Sequence, residues 1–221
     1  MAEVRRLSGW RPAVSVVGFL VVGAAFGAAT SLLNAWSGHY ADLSSREATI
    51  SGASPLEVAS TLLDSGWAWA GMAVGVGWLF TRADRAPGVE LAVGAAAGAL
   101  ALFAATAAYG AVDAVREGGA SDWLLAQSVV WWVASFVFGA PLGAVGACAK
   151  RPTAVGLLAR LTVPAGAAAQ MLVLPPGRNE RITQIGQAVV GTAAVAAAAL
   201  AVGFFLVTRR RSTGAPGAGA R

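Results

Sequence analysis

The chain is 221 residues long, 57% hydrophobic and only 12% charged, with 28 glycines and a net charge of +5. A water-soluble domain carries roughly 25% charged residues, so the polar surface of a soluble fold is missing. One cysteine (Cys148) and one histidine (His39) exclude a disulfide framework and a Cys/His metal site, and no metal or organic cofactor is expected.

Apolar runs of about 20 residues, the length that crosses a hydrocarbon core of roughly 30 Å, recur along the chain. They predict an all-α, polytopic transmembrane helix bundle of six spans: Ala13–Leu33, Pro55–Phe80, Val89–Val112, Asp122–Ala149, Thr153–Leu174 and Arg181–Val207. Residues 1–12 form an N-terminal segment, 13–207 the transmembrane domain and 208–221 a basic, disordered tail. Arg5 and Arg6 precede the first span as they would in a cleaved signal. The uncharged stretch from Pro12 to Leu33 exceeds the roughly 7–15 residues of a signal core, so a retained helix is expected. Ser54-Pro55-Leu56-Glu57 is a capping box at the start of the second span. Ser121-Asp122 opens the fourth, and Asn179-Glu180 opens the sixth after the Pro175-Pro176-Gly177 turn. Gly94 and Gly98 in the third span, and Gly139, Gly143 and Gly146 in the fourth, recur at helical spacing and predict close helix packing.

Charge sets the orientation. Eleven Lys and Arg residues, among them Arg5, Arg82, Lys150 and Arg209, fall on the side of the two termini, against four (Arg46, Arg116, Arg178, Arg181) on the other. By the positive-inside rule both termini are cytoplasmic, in a multi-pass protein of the cell membrane. Cations placed between apolar runs point to membrane lipid as the partner and away from nucleic acid.

An acid inside a span is the informative residue, because burying it costs at least about 2.5 kcal/mol at the bilayer centre. Asp64 lies roughly 13 Å along a helix that starts at Pro55, on one stripe with Trp67, Gly71, Gly75 and Trp78. Asp113 ends the third span, one turn after Tyr109 and two after Thr106. The two spans run in opposite directions, so both acids approach from the outer side. The fourth span adds one stripe of Trp123, Gln127 and Trp131, and another of Ser128, Trp132, Ser135 and Gly139. An outward-opening cavity would join the candidate catalytic acids Asp64 and Asp113 to the candidate substrate-binding residues Trp67, Trp78, Tyr109, Trp131 and Trp132. Desolvation keeps a carboxyl protonated and able to give up its proton, and aromatic faces stabilise a cation. The structural alternative is that interfacial aromatics such as Trp36, Tyr40 and Trp123 only anchor, and that Asp113 and Asp122 flank a loop. Arg160, the one basic residue inside a run, either binds a phosphate, snorkels or pairs with Glu90; the structural readings are preferred.

Several chemistries are absent from the pattern. There is no GxxxxGK[ST] loop, no HExxH and no GxSxG elbow. No DDxxD cluster is present to ionise a diphosphate. Protonation of an alkene or epoxide is the mode these residues support.

The runs Leu63-Asp64-Ser65-Gly66-Trp67-Ala68-Trp69-Ala70-Gly71, Ala108-Tyr109-Gly110-Ala111-Val112-Asp113 and Gly139-Ala140-Pro141-Leu142-Gly143 resemble a family of small actinobacterial membrane proteins. The family has relatives among membrane-bound cyclases of bacterial indole terpenoids of the drimentine type. The resemblance spans roughly the second to the fifth span and implies a cyclase of a prenylated indole or cyclodipeptide in secondary metabolism. The expectation is therefore a cofactor-free, proton-initiated terpene cyclase acting on a lipophilic isoprenoid. A small proton-coupled transporter and a non-catalytic membrane scaffold are the alternatives.

Overall fold

The computed structural model describes residues 2–37, 54–82, 86–117, 127–176 and 180–213. His39, Asp122, Trp123, Asn179 and the last eight residues lie outside this set, as do the side chains of Gln127 and Ser128. The described residues form seven helices and no strand: α1 (Ala2–Trp36), α2 (Pro55–Leu63), α3 (Gly66–Phe80), α4 (Pro87–Glu117), α5 (Gln127–Cys148), α6 (Ala154–Val173) and α7 (Glu180–Thr213). Five of them, α1 and α4 to α7, contain stretches long and apolar enough to cross a membrane, and α3 is apolar but shorter. The molecule is an all-α bundle of membrane-spanning helices.

One expected span is two helices. The segment read as continuous from Pro55 to Phe80 breaks after Asp64, and α3 starts afresh at Gly66. The capping box at Ser54 forms as expected: Ser54 Oγ accepts from the Glu57 N–H, and Glu57 Oε2 accepts from the Ser54 N–H at 2.8 Å. It launches only nine residues of helix. Ser65 then turns extended, at φ −77° and ψ 148°, which resets the helical phase between Asp64 and Trp67. The helices also outrun several expected ends: α1 runs past Leu33 to Trp36, and α4 spans Pro87–Glu117 where Val89–Val112 was expected. α1 extends back to Ala2, and α7 continues past Val207 to Thr213, where Thr208 Oγ1 donates to the Phe205 carbonyl at 3.2 Å.

Glycine sets how closely the helices approach. Helices in lipid gain little from the hydrophobic effect and associate by close backbone contact and dispersion. A Cβ at Gly23 would overlap the Ala101 backbone, and one at Gly27 the Ala105 backbone. Both pairs advance by four residues, so α1 and α4 run parallel. α4 and α5 run antiparallel through Gly98 against Gly139 and Gly94 against Gly143. Gly77 of α3 meets the same Gly143 backbone, and Gly146 meets Val74. The glycines expected to pack helices do so, and Gly143 is where three of them meet. Beside this seam, Phe19, Val76, Ala97 and Ala101 form a buried cluster, closed by Phe80 edge-on to Phe19 at 4.7 Å. The α6–α7 hairpin docks separately, through Ala167, Met171 and Val190 against Leu62 and Trp67.

Substituting Gly143→Val is expected to cost about 3 kcal/mol, the upper part of the usual overpacking range, because it forces backbone rather than side chains apart. Gly75→Val, where a Cβ meets nothing within 4 Å, is expected to change stability by less than about 0.5 kcal/mol. Thermal unfolding of both variants in the same detergent checks the contrast.

Candidate functional site

The break between α2 and α3 builds the site. A helix interrupted at membrane depth exposes backbone groups that only protein partners can satisfy. Here Ser65 Oγ donates to the Leu62 carbonyl at 2.5 Å, closing the end of α2. Ser65 caps α3 with no side-chain bond, and the orphan N–H of Trp67 in its first turn is taken by Gln170 Oε1 of α6 at 2.9 Å. The break thus leaves Asp64 at the C-cap of α2, released from the helical register and turned toward α1 and α4.

There Asn34 is fully buried, at 0% exposure, and its amide is saturated. Its Nδ2 donates to Asp64 Oδ2 at 2.8 Å and to the Tyr109 hydroxyl at 3.0 Å. Its Oδ1 accepts from Ser60 Oγ at 2.5 Å. Three helices, α1, α2 and α4, are therefore joined with the loop acid through one side chain. One turn earlier on α1, the equally buried Ser31 donates to Asp113 Oδ1 at 2.6 Å. Arg116 stands 3.7 Å from the same oxygen, partly exposed. The Trp69 indole hydrogen-bonds Asp64, and the two acids are near enough for their charges to interact. Trp69 lies edge-on to Phe26 at 5.3 Å and tilted against Tyr109 at 6.1 Å. The result is a pair of carboxyls, two buried serines and a saturated amide, flanked by an indole, a phenol and a phenyl ring.

Of the residues expected in the site, the structure brings Asp64, Asp113 and Tyr109 together. The others lie elsewhere. Trp67 packs into the α6–α7 docking cluster, because the extended Ser65 rotates it off the face that carries Asp64. Trp78 is 51% exposed at the far end of α3, under the Lys150 ammonium. Trp131 is 58% exposed on the outside of α5. Trp132 packs on Phe103 at 5.6 Å, near the Thr106–Ser135 hydroxyl pair. Trp36, expected as an anchor, is 69% exposed at the end of α1. Of the alternatives for Arg160, the pair with Glu90 does not form: Arg151 binds Glu90 at 3.0 Å, and Arg160 donates to the Arg151 carbonyl at 3.2 Å. Arg151 sits at the start of the α5–α6 turn and reaches the first turn of α4 more directly.

Sequence reasoning missed Asn34, Ser31, Ser60 and Trp69. The available signal was the cluster Thr30, Ser31 and Asn34, polar residues one turn apart at the end of an apolar span. Compared with known protein families, characterised proteins and solved structures, the chain matches none.

Asn34→Leu keeps the branched shape of the side chain but removes its hydrogen bonds to Asp64, Tyr109 and Ser60. It is expected to lower stability by about 2 kcal/mol, above the average membrane hydrogen bond because three partners lose theirs together. Ser37→Ala, which removes one local bond to the Asn34 carbonyl, is expected to stay within about 0.5 kcal/mol. Unfolding of both variants in matched bilayers or micelles measures the difference.

Proposed function

We propose that this chain is a terpene cyclase of the cell membrane, with both termini cytoplasmic, which starts a carbocation cyclisation by protonation from Asp64. The observation that carries the reading is the seating of Asp64 between two hydrogen-bond donors, the Asn34 amide and the Trp69 indole, beside aromatic faces. The resemblance of its Asp64, Tyr109 and Gly139 runs to a family of small membrane proteins with relatives among indole-terpenoid cyclases supports the same reading.

The chemistry is an isomerisation and needs no oxidant. The Asp64 O–H proton passes to the terminal alkene carbon, or to an epoxide oxygen, of a prenylated indole or cyclodipeptide. The alkene π electrons form the new C–H bond and leave a tertiary cation; in the epoxide case the ring C–O bond breaks instead. The next alkene or the indole ring attacks that cation and closes a ring. Asn34 and Trp69 hold the carboxylate that remains, and Trp69, Tyr109 and Phe26 stabilise passing positive charge by about 0.5–2 kcal/mol per ring. The last cation loses a neighbouring proton to Asp113 or to water, and one proton returned to Asp64 completes the cycle. Positioned general acids contribute factors of about 10²–10⁴, which suits this role.

A second reading is favoured by the helix break itself. Discontinuous membrane helices with an acid at the break are an architecture of proton- or ion-coupled carriers. In that reading Asp64 titrates as a substrate crosses.

Membranes containing the protein, incubated with a panel of linear prenylated indoles and cyclodipeptides, are expected to yield a cyclised isomer of unchanged mass. Asp64→Asn is expected to lower the rate by about 10³-fold. Unchanged substrate across the panel, or full activity in Asp64→Asn, would overturn the cyclase. Substrate accumulation in proteoliposomes, driven by a proton gradient and lost in Asp64→Asn, would establish the carrier instead.

A further inference from the structure

At the end of the bundle opposite Asp64, we propose a binding site for the phosphate of an anionic phospholipid, formed by Lys150 and Arg160, with Arg209 further along the same α7 helix whose Phe204 ring Arg160 covers. Among the residues whose side chains are described, this end carries Arg82, Lys150, Arg151, Arg160, Arg209 and Arg210 against one acid, Glu90. That acid is 2% exposed and cannot serve the outer cations: its Oε2 binds Arg151 at 3.0 Å, and its Oε1 is buried without a hydrogen-bond partner. Lys150 and Arg160 are instead tied to neutral groups. Lys150 Nζ donates to the Thr81 carbonyl, and Arg160 donates to the Arg151 carbonyl at 3.2 Å. These bonds fix where the charges stand without neutralising them, and half-buried positive charge at a membrane boundary requires a counter-anion.

Three of the cations share a second feature. Lys150 lies over the Trp78 ring at 5.2 Å, Arg160 over Phe204 at 4.8 Å and Arg209 over Phe205 at 5.6 Å. Two of those rings are themselves outward-facing, Trp78 at 51% and Phe204 at 56% exposure. Cations seated on outward-facing aromatics mark the level at which headgroups meet acyl chains. Deeper along α7, exposed Val202, Leu200 and Val195 continue the apolar surface that acyl chains would cover. A free phosphate would use the charges and leave this apolar surface unexplained, whereas a phospholipid uses both. Anionic headgroups are attracted by clustered Lys and Arg at this depth.

The test compares purified full-length protein in nanodiscs of phosphatidylcholine alone and of phosphatidylcholine with phosphatidylglycerol. Native mass spectrometry is expected to show phosphatidylglycerol retained at least fivefold over phosphatidylcholine. The pair Lys150→Gln with Arg160→Gln is expected to abolish that preference, while Arg116→Gln at the opposite end keeps it. Should the pair fail to fold, Arg209→Gln alone is expected to reduce the preference. Equal retention of the two lipids, full preference in a folded double variant or in Arg209→Gln, or equal thermal stabilisation by inorganic phosphate in detergent, would each overturn the proposal.

Discussion

A carboxyl placed among membrane-spanning helices must find its hydrogen-bond donors within the protein, and the architecture around Asp64 follows from that requirement. Asn34 meets it. With its amide saturated by Ser60, Asp64 and Tyr109, it joins three helices and fixes the acid in one orientation. Had α2 and α3 run on as one helix, Asp64 would have kept helical register with Trp67. The extended Ser65 frees it, and Gln170 satisfies the backbone group that the break exposes. The acid and the break are thus mutually dependent features.

The glycine seams bring these partners within reach. Gly23 and Gly27 allow α1 to lie against the α4 backbone, which sets Ser31 beside Asp113 and Asn34 beside Tyr109 near the ends of the two helices. Gly143 holds α3 and α4 to α5 in the same manner. A methyl group at any of these positions would push helices apart by more than a hydrogen bond tolerates. The two ends of the bundle then differ in kind. One gathers acids bridged by hydroxyls and an amide; the other gathers cations seated on aromatic rings.

Much of the fold was legible in the sequence, because apolar length, capping and small-residue spacing are local signals. The capping box at Ser54 and the packing roles of Gly94, Gly98, Gly139, Gly143 and Gly146 all appear where the pattern placed them. The meeting of Asp64, Asp113 and Tyr109 was also readable, since antiparallel α3 and α4 must return both acids to one side. The helix break was not: Ser65-Gly66 is compatible with either a continuous or an interrupted helix, and the choice rests on Gln170, more than a hundred residues away. Losing the phase at Ser65 moved Trp67 and Trp78 off the acid's face and put Trp69 there. Asn34 was missed because the first span was read as ending at Leu33, which put Asn34 in the loop that follows. Arg151 at Glu90 was not legible because it stands on the α5–α6 turn, outside any helical periodicity.

The central claim is that Asp64 carries a transferable proton while hydrogen-bonded to Asn34. Infrared difference spectroscopy of the reconstituted protein across a pH titration tests it directly. A protonated carboxyl C=O stretch is expected that disappears in Asp64→Asn and moves to higher frequency when Asn34→Leu removes the donor. A spectrum in which no protonated carboxyl band depends on Asp64, or in which Asn34→Leu leaves that band unmoved, would contradict it.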